Sequence, residues 1–532
     1  MNDSVRSPRI WHGSQHGWRT AYSSGRPLAA LALIVAVNTP LVVAGPPIAI
    51  KAEKAFVGDG QTVEQAIILI KDGKIVAVGK EVAIPEGTSV IEVAGGTVTP
   101  GLIDANSRIE NTNLFPASHK AIPQGGLATG WHDEASDNDH SHSSDFGERE
   151  DPHSVASPQS SARDEYTAPV HVDPMHLDPM HLDPMHLDPM HLGDDHLDDE
   201  LPLAVGVRSS TVVNEQSSEV VPHIRVVDDL NLRARDFDRL VRGGVTTVYA
   251  SPDAAAVIGA RGAVLHTGGP AARRVLIPAA AVKATIGTDP SYFGSYNRSP
   301  SRHSTTMYTR RPNSRMGLTW VFRKAFYDAQ RRDSGRVAYG ADTASAEATN
   351  VLKEVLDGKV PLRIQARIQQ DILTALRLAD EFDLDFVLEE ATEAYLCVDE
   401  LKAHSVPVIF GPIFETPRGS TMRRMEGRRS RYFTLEALLE VGIPTALSAQ
   451  ELREDDGLAR QAMYAMRFGA SLDAALRAVT LTPAQMLGLD EQIGTVEAGK
   501  RADLVIWQGA PFEATSSVKV VLIDGDVVFD RR

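Results

Sequence analysis

The middle of the chain alternates short apolar strands with amphipathic helices, and this alternation limits the possible folds more than any other feature. The strand-like runs are Val245–Ala250, Leu362–Ala366, Phe386–Glu389, Val406–Phe410 and Pro444–Leu447. Helical patterns lie between several of them, for example from Asp371 to Phe382 and from Glu393 to His404. Strands and helices that alternate at this length favour a parallel α/β core, most simply a (β/α)8 barrel.

Both ends of the chain are rich in short β-type runs instead. Residues 47–98 contain four such runs, and the turn signals Asp59-Gly60 and Asp72-Gly73 lie between them. Residues 502–529 contain further short β-type runs of the same kind. The sequence therefore predicts one composite β-sandwich from residues 45–98 plus 491–532, next to a barrel built from 99–114 plus 206–490.

One long segment interrupts the barrel. Of the 70 acidic residues in the chain, 19 lie between Ala121 and Val205, against only two basic residues. The motif Asp-Pro-Met-His-Leu occurs four times between Asp173 and Leu192. A proline at every fifth position forbids a helix or a central strand, so residues 115–205 are predicted to be an acidic, His/Asp-rich, disordered insert.

Charge also limits the partners. The formal net charge is −16, of which the acidic segment contributes −17 and residues 1–44 contribute +3, so the remainder carries only −2. We expect no nucleic-acid partner for such a chain. A single cysteine, Cys397, excludes an internal disulfide and any zinc cluster built from cysteines. The sequence leaves open whether the chain forms a homo-oligomer.

The first 44 residues have the layout of a secretory signal. Four arginines precede the apolar run Leu28–Val37, and Ala44 is placed for cleavage before Gly45. We expect an exported or periplasmic protein, with an uncleaved membrane anchor as the alternative. A spanning helix needs about 20 apolar residues, and Asn38 and Pro40 interrupt this run.

Three motifs point to one known family. Thr99–Arg108 reads Thr-Pro-Gly-Leu-Ile-Asp-Ala-Asn-Ser-Arg, residues 482–489 read Thr-Pro-Ala-Gln-Met-Leu-Gly-Leu, and the third motif covers residues 494–507. Together they resemble the amidohydrolase superfamily, in the branch around imidazolonepropionases. The first motif is similar to the first barrel strand of that superfamily, which reads Pro-Gly-Leu-Ile-Asp-x-His-x-His, and the other two are similar to its C-terminal signature. The resemblance covers most of residues 47–114 and 206–531. It implies a (β/α)8 TIM-type barrel with a composite β-sandwich, and hydrolysis of carbon–nitrogen bonds at one or two divalent metals.

The resemblance places the metal ligands of the family on residues that are poor ligands. The two histidines that follow the first strand fall on Asn106 and Arg108, and the fifth-strand histidine falls on Gln365. The sixth-strand histidine falls on Glu389 or Glu390, and the eighth-strand aspartate falls on Gln450. Lys283 is the candidate for the bridging lysine that part of the superfamily uses. An arginine stays protonated in proteins and repels a metal cation. We therefore expect no metal cofactor in the barrel.

Three functional hypotheses follow, and the sequence leaves open whether the chain is an enzyme. The first is a binding or scaffold pseudoenzyme that lacks the usual metal centre. The second is an active hydrolase of carbon–nitrogen bonds with an atypical site, which would require zinc or another divalent metal if the family chemistry survives. The third is a metal-buffering exported protein, in which the insert binds metal weakly through His176, His181, His186, His191 and His196. Four histidines elsewhere, at 223, 266, 303 and 404, share no ligand spacing and are expected to be structural.

Arginines cluster in a segment that follows a barrel strand. Glu415–Arg431 comes directly after Val406–Phe410 and should lie at the C-terminal face of the barrel. The candidate anion-binding residues are Arg108, Arg367, Arg423, Arg424, Arg428 and Arg429. The predicted partner is an anionic small molecule or the chain's own acidic insert, which would cover the barrel mouth as an electrostatic lid.

Overall fold

The computed structural model describes residues 46–110, 218–291, 312, 314–333, 344–413 and 432–532. Three predictions lie outside these residues: the signal peptide or anchor, the acidic insert with its histidine repeat, and the arginines at 423, 424, 428 and 429. In the part of the chain that the structure describes, no helix is both long enough and apolar enough to cross a membrane.

Five strands form at the N-terminal end. They are β1 Ile48–Phe56, β2 Thr62–Lys71, β3 Lys74–Gly79, β4 Ser89–Glu92 and β5 Gly96–Pro100. β1 pairs antiparallel with β2, and β2 pairs antiparallel with β3 across the predicted Asp72-Gly73 turn. β1 also pairs in parallel with β4 through its first half and with β5 through its second half.

Ten strands build the middle of the fold. They are β6 Leu102–Ser107, β7 Val245–Ala250, β8 Ile258–Arg261, β9 Ala263–His266, β10 Val275–Ile277, β11 Val282–Thr285, β12 Leu362–Ala366, β13 Phe386–Glu390, β14 Val408–Phe410 and β15 Thr445–Leu447. β11 to β15 pair successively in parallel, as do β6 and β7. Every residue of β12, β13, β14 and β15 is buried, as in parallel strands that are covered on both faces.

One stretch departs from the regular alternation. β8 runs antiparallel to β11, and β9 runs antiparallel to β7. Only residues 251–257 connect β7 to β8, and a parallel crossover needs a dozen or more residues. β8 and β9 meet at Gly262, where a Cβ atom would lie 2.2 Å from the Tyr249 ring. The connection is therefore too short for a βα unit, and the chain doubles back instead.

Side-chain hydrogen bonds join the first and last barrel strands. Ser448, just after β15, donates through Oγ to Asp104 Oδ1 at 2.8 Å. Ala449 N donates to the other oxygen of Asp104 at 3.2 Å. Arg108 N also donates to Gln450 O at 3.2 Å. These contacts bring β6 beside β15 and close the ring at its carboxyl end.

Helices surround the strands. They are α1 Arg235–Arg242, α2 Ala271–Arg274, α3 Arg315–Asp333, α4 Ala346–Leu356, α5 Gln369–Phe382, α6 Val398–Ala403, α7 Thr434–Glu440, α8 Leu458–Arg467, α9 Leu472–Val479 and α10 Leu481–Met486. The helix predicted from Asp371 corresponds to α5. The one predicted from Glu393 to His404 is shorter: a 3₁₀ turn at Ala394–Leu396 precedes α6, so only the second half is α-helical.

The C-terminal strands complete the first sheet. β16 Leu504–Gln508 pairs antiparallel with β5, and β17 Ser517–Ile523 and β18 Asp526–Asp530 follow it. The result is one eight-stranded sheet from both ends of the chain, with an apolar core that includes Ile50, Ile68 and Leu522. The predicted TIM-type barrel with a composite β-domain is confirmed.

Candidate functional site

The carboxyl ends of the barrel strands bring the substituted ligand positions together. Thr285, Gln365 and Glu389 are successive cross-strand neighbours on β11, β12 and β13. Asn106 and Gln450 come from the ends of β6 and β15, which lie side by side. All five residues are at most 1% exposed. The structure therefore assembles at one buried site the positions that the resemblance marked.

The outer part of this site is a chain of ion pairs. Arg108 Nη2 lies 2.6 Å from Glu390 Oε1, and Arg367 Nε lies 2.5 Å from Glu390 Oε2. Arg367 Nη1 in turn lies 2.5 Å from Asp289 Oδ2, which also accepts a 2.6 Å hydrogen bond from Gln365 Nε2. Glu390 thus bridges arginines from the ends of two different strands, whereas both partners of Asp289 come from the end of β12.

The inner part is built around Glu389. Lys283 Nζ lies 3.1 Å from Glu389 Oε2, and Arg363 Nε lies 2.5 Å from Glu389 Oε1. Lys283 Nζ also donates to Ser251 Oγ at 2.9 Å. The Arg363 guanidinium lies 3.7 Å over the ring of Tyr249, which covers the base of the site through a cation–π contact.

An unusual backbone conformation lets both neighbouring glutamates take part. Side chains of adjacent strand residues normally point to opposite faces. Glu390 and Ala391 have φ values of +67° and +38°, in a region that residues other than glycine rarely adopt. The bend at the end of β13 therefore lets Glu390 meet Arg108 while Glu389 meets Lys283. Backbone strain of this kind is common at functional sites.

Burial and pairing act in opposite directions on the cations. Burial disfavours the charged forms of Arg108 and Arg367, but the carboxylates beside them reverse this effect and raise the pKa of both guanidinium groups. For Lys283, burial dominates over the attraction of Glu389, so the pKa of its ammonium group is lowered. The two arginines are therefore fixed positive charges, whereas Lys283 is the cation that gives up a proton most readily.

The described side chains do not fit the divalent metals that the resemblance implies. Four cations and four carboxylates alternate in the site: Arg108, Lys283, Arg363 and Arg367 with Asp289, Glu389, Glu390 and Glu451. Their formal charges cancel, so a divalent ion would add an uncompensated charge. The remaining positions, Asn106, Gln365 and Gln450, offer neutral amides, which are poor zinc ligands.

Several amide and hydroxyl atoms of the site are buried without a hydrogen-bond partner among the described residues. They are Asn106 Oδ1 and Nδ2, Thr285 Oγ1, Gln365 Oε1 and Gln450 Oε1. A buried polar group without a partner costs about 1–3 kcal/mol. The set contains mostly acceptors and one amide donor, so it could receive a ligand that offers both N–H groups and a carbonyl.

Only two of the six residues of the predicted anion site lie within the described part of the chain. Arg108 and Arg367 lie at the barrel mouth, where each has a carboxylate partner. The other four arginines of that prediction lie outside the described residues. Anion binding by this group stays a prediction.

Sequence reasoning missed four members of the cluster: Ser251, Asp289, Arg363 and Glu451. A signal existed for Arg363, because Arg363, Gln365 and Arg367 alternate with apolar residues along β12. In a barrel strand this alternation places all three on one face. Asp289 and Ser251 lie in loops, and only the neighbouring strands reveal their contacts.

A model of the amidohydrolase family matches residues 445–528, from β15 to β18. Amidohydrolase TasK of Hapsidospora irregularis is 26% identical over 354 residues, which is 61% of this chain and 34% of that protein. An imidazolonepropionase of Sphingopyxis alaskensis is 50% identical over 52 residues, 10% of this chain and 13% of that protein. The chain is thus similar in sequence to proteins of the amidohydrolase superfamily.

Among solved structures, an amidohydrolase from Thermotoga maritima superimposes on this chain with a TM-score of 0.64 at 24% identity. The match covers 91% of this chain and all of that one, and it concerns the fold. The chain spans about a third of the length of TasK. Its relatives bear the names of hydrolases, but their activity is not thereby the activity of this barrel.

Proposed function

We propose that this chain is a binding protein on the amidohydrolase fold, and that its barrel mouth holds a small, neutral, amide-bearing molecule without a metal. The observation that carries the proposal is the ion-pair cluster. Buried arginine and lysine side chains neutralise Glu389 and Glu390, the two carboxylates nearest the family's sixth-strand ligand position.

The polar atoms that are left determine the ligand class. The carbonyl oxygens of Gln365 and Gln450 are buried acceptors, and Asn106 offers both an acceptor and a donor. An amide, urea or lactam group presents N–H donors to such oxygens and a carbonyl to the Asn106 amide. Because the charges of the described cluster cancel, a neutral ligand is favoured over the anionic one that the arginines predicted.

Thermal stabilisation of the full-length protein tests the ligand class. N-acetyl amino-acid amides, small lactams and dicarboxylates are compared as probes, with ligand-free protein as the reference. A neutral amide should raise the unfolding temperature of the wild type and should have a weaker effect on Asn106→Leu or Gln450→Leu. Thr374→Val, a partly exposed change on α5, is the control and should respond like the wild type. Stabilisation by dicarboxylates alone would contradict the neutral-ligand proposal.

Metal dependence tests the other half of the proposal. Full-length protein is treated with a chelator and assayed against dipeptide and lactam substrates with and without added Zn²⁺. No zinc-dependent hydrolysis is expected. Zinc-dependent turnover that disappears in Glu389→Gln would overturn the proposal, because it would require a metal where the ion pairs lie.

One observation favours a second candidate, an active hydrolase with an atypical site. Ser251 Oγ, at the end of β7, accepts a 2.9 Å hydrogen bond from Lys283 Nζ, and Glu389 holds the lysine from the other side. This is the arrangement of a nucleophile, a base and an orienting carboxylate. Burial lowers the pKa of the Lys283 ammonium group, which favours its neutral form as a base.

The chemistry of this second candidate balances without a metal. Neutral Lys283 would accept the Ser251 proton as Oγ attacks the carbonyl carbon, and would return it to the leaving nitrogen. Water would then hydrolyse the acyl-serine. A fluorophosphonate probe should label Ser251, as read by intact mass and peptide mapping, and should fail on Ser251→Ala and Lys283→Met. Absence of the label on folded wild type would reject this candidate and leave the binding function.

A further inference from the structure

A second polar cluster lies at the opposite end of the barrel from the mouth. His266 is the last residue of β9, and its cross-strand neighbour is Thr247, near the start of β7. Asp503 immediately precedes β16, and its carbonyl accepts a hydrogen bond from Gly101, just before β6. Asp524 lies in the turn between β17 and β18. The cluster therefore joins one barrel residue to two residues of the composite sheet.

The three side chains present their ligand atoms to one another. His266 Nε2 lies 3.2 Å from Asp503 Oδ2, and His266 Nδ1 lies 3.6 Å from Asp524 Oδ2. One ligand atom from each residue can be chosen so that all three lie within 4.8 Å of one another. Tetrahedral ligands at the usual zinc distances are about 3.4 Å apart. The longest of these separations therefore has to shorten by about 1.4 Å at most when a tetrahedral ion binds.

The second oxygen of each carboxylate is already held. Asp503 Oδ1 accepts a 2.7 Å hydrogen bond from Asp524 N, and Asp524 Oδ1 lies 2.8 Å from Arg501 Nη1. Metal-binding carboxylates are characteristically oriented in this way by donors outside the metal's own ligand set. Each carboxylate is thereby left with one oxygen directed toward the imidazole.

Two atoms at the centre have no hydrogen-bond partner. His266 Nε2 and Asp503 Oδ2 are buried and make none among the described residues, although they are only 3.2 Å apart. Their alignment is therefore poor for an N–H···O bond, which an imidazolium would be expected to form. A divalent cation would instead use the lone pairs of both atoms. The Asp524 side chain is 24% exposed, which gives access to solvent.

We propose that His266, Asp503 and Asp524 bind one divalent cation of the zinc class, with water completing its coordination on the side of Asp524. The site fastens the composite sheet to the barrel at the end away from the ion-pair cluster. It is a structural site, independent of the function proposed for the mouth. Imidazole nitrogen and carboxylate oxygen are both zinc ligands in proteins.

The test uses full-length, chelator-treated protein, and the probe is Zn²⁺ alone. Because the histidine-rich segment can also take up zinc, the readout is the difference between variants that all keep that segment. His266→Asn and Asp524→Asn remove one ligand each, and His404→Asn, a half-exposed histidine of the barrel, is the matched control. Metal content by mass spectrometry and the zinc-induced shift in unfolding temperature are measured for all four proteins.

Wild type and His404→Asn should retain one more equivalent of zinc than the two ligand variants after gel filtration. Zinc should raise the unfolding temperature of these two proteins by several degrees and should leave the unfolding temperature of the two ligand variants unchanged. If His266→Asn does not fold, Asp524→Asn decides, because its turn is solvent-accessible. Equal zinc content and equal shifts in all four proteins would overturn the proposal. So would a lowered unfolding temperature that is the same with and without zinc, which would identify a purely protein-based ion pair.

Discussion

The ion-pair cluster predicts that Glu390→Gln is strongly destabilising, although it removes one charge and almost no volume. Glu390 is 3% exposed and lies within 2.6 Å of nitrogen atoms of both Arg108 and Arg367. Breaking a buried pair typically costs about 3–5 kcal/mol, because a desolvated charge is left behind. Arg367 retains Asp289 and Arg108 retains Glu451, so we expect the lower end, about 3 kcal/mol.

A loss of about 3 kcal/mol is roughly a 100-fold change in the unfolding equilibrium constant, which urea unfolding followed by tryptophan fluorescence can measure. Asp228→Asn is the control, because the Asp228–Arg225 pair is about half exposed on both sides and should contribute at most about 1 kcal/mol. A double-mutant cycle with Arg108→Met should show coupling, since removing both partners leaves fewer unpaired charges. If Glu390→Gln costs no more than the control, the cluster is solvated and the reasoning fails.

Three further predictions concern burial and space. Burial raises the pKa of Asp104 above its ordinary 3.8, and the hydrogen bonds to this carboxyl group offset the effect only partly. The protonated Asp104 therefore contributes to stability below pH 3.8, and this contribution is lost as pH rises through the raised pKa of the folded state. The stability of Asp104→Asn relative to wild type should accordingly improve as pH rises from about 4, and a difference that does not vary with pH would contradict this. Burial also raises the pKa of the Cys397 thiol to about 12, so iodoacetamide at pH 8 should label Cys397 only after unfolding. Labelling is measured by mass spectrometry, and rapid labelling of the folded protein would contradict this prediction. Gly262→Ala should abolish soluble expression, because its Cβ would meet the Tyr249 ring at 2.2 Å. Gly442→Ala is the control: its φ is +83° but the space around it is open, so it should lower the free energy of unfolding by only about 1 kcal/mol in thermal unfolding. Comparable yields and stabilities of the two variants would show that the strand junction adapts.

The scaffold could be predicted from local signals. Period-two and helical patterns together with turn signals predict β1 to β4, β12 to β15 and α5 at approximately their observed positions. The antiparallel course of β8 and β9 could not, because an apolar run has no direction in sequence. It follows from the length of the 251–257 connection, which is meaningful only once the neighbouring strands are known.

For the site, the sequence identified the positions but not the partners. Asn106, Arg108, Gln365, Glu389, Glu390 and Gln450 do meet at the barrel mouth. Which cation neutralises which carboxylate depends on cross-strand register and on the positive φ of Glu390, and a single sequence records neither. His266 was expected to be an ordinary structural histidine, because its neighbours Asp503 and Asp524 are more than 230 positions away. Long-range contacts of this kind leave no local pattern.

The guanidinium and ammonium groups of the barrel mouth are attached to the chain whose carboxylates they neutralise. A bound ion can be removed by dilution, by a chelator or by a competing protein, whereas these counter-charges can be lost only by mutation or unfolding. If the mouth binds no metal, as we propose, it is complete as soon as the polypeptide has folded, whatever the supply of metal around it. The same attachment means that this charge cannot be exchanged for one of different reactivity, so new chemistry at the mouth has to arise through changes in the sequence.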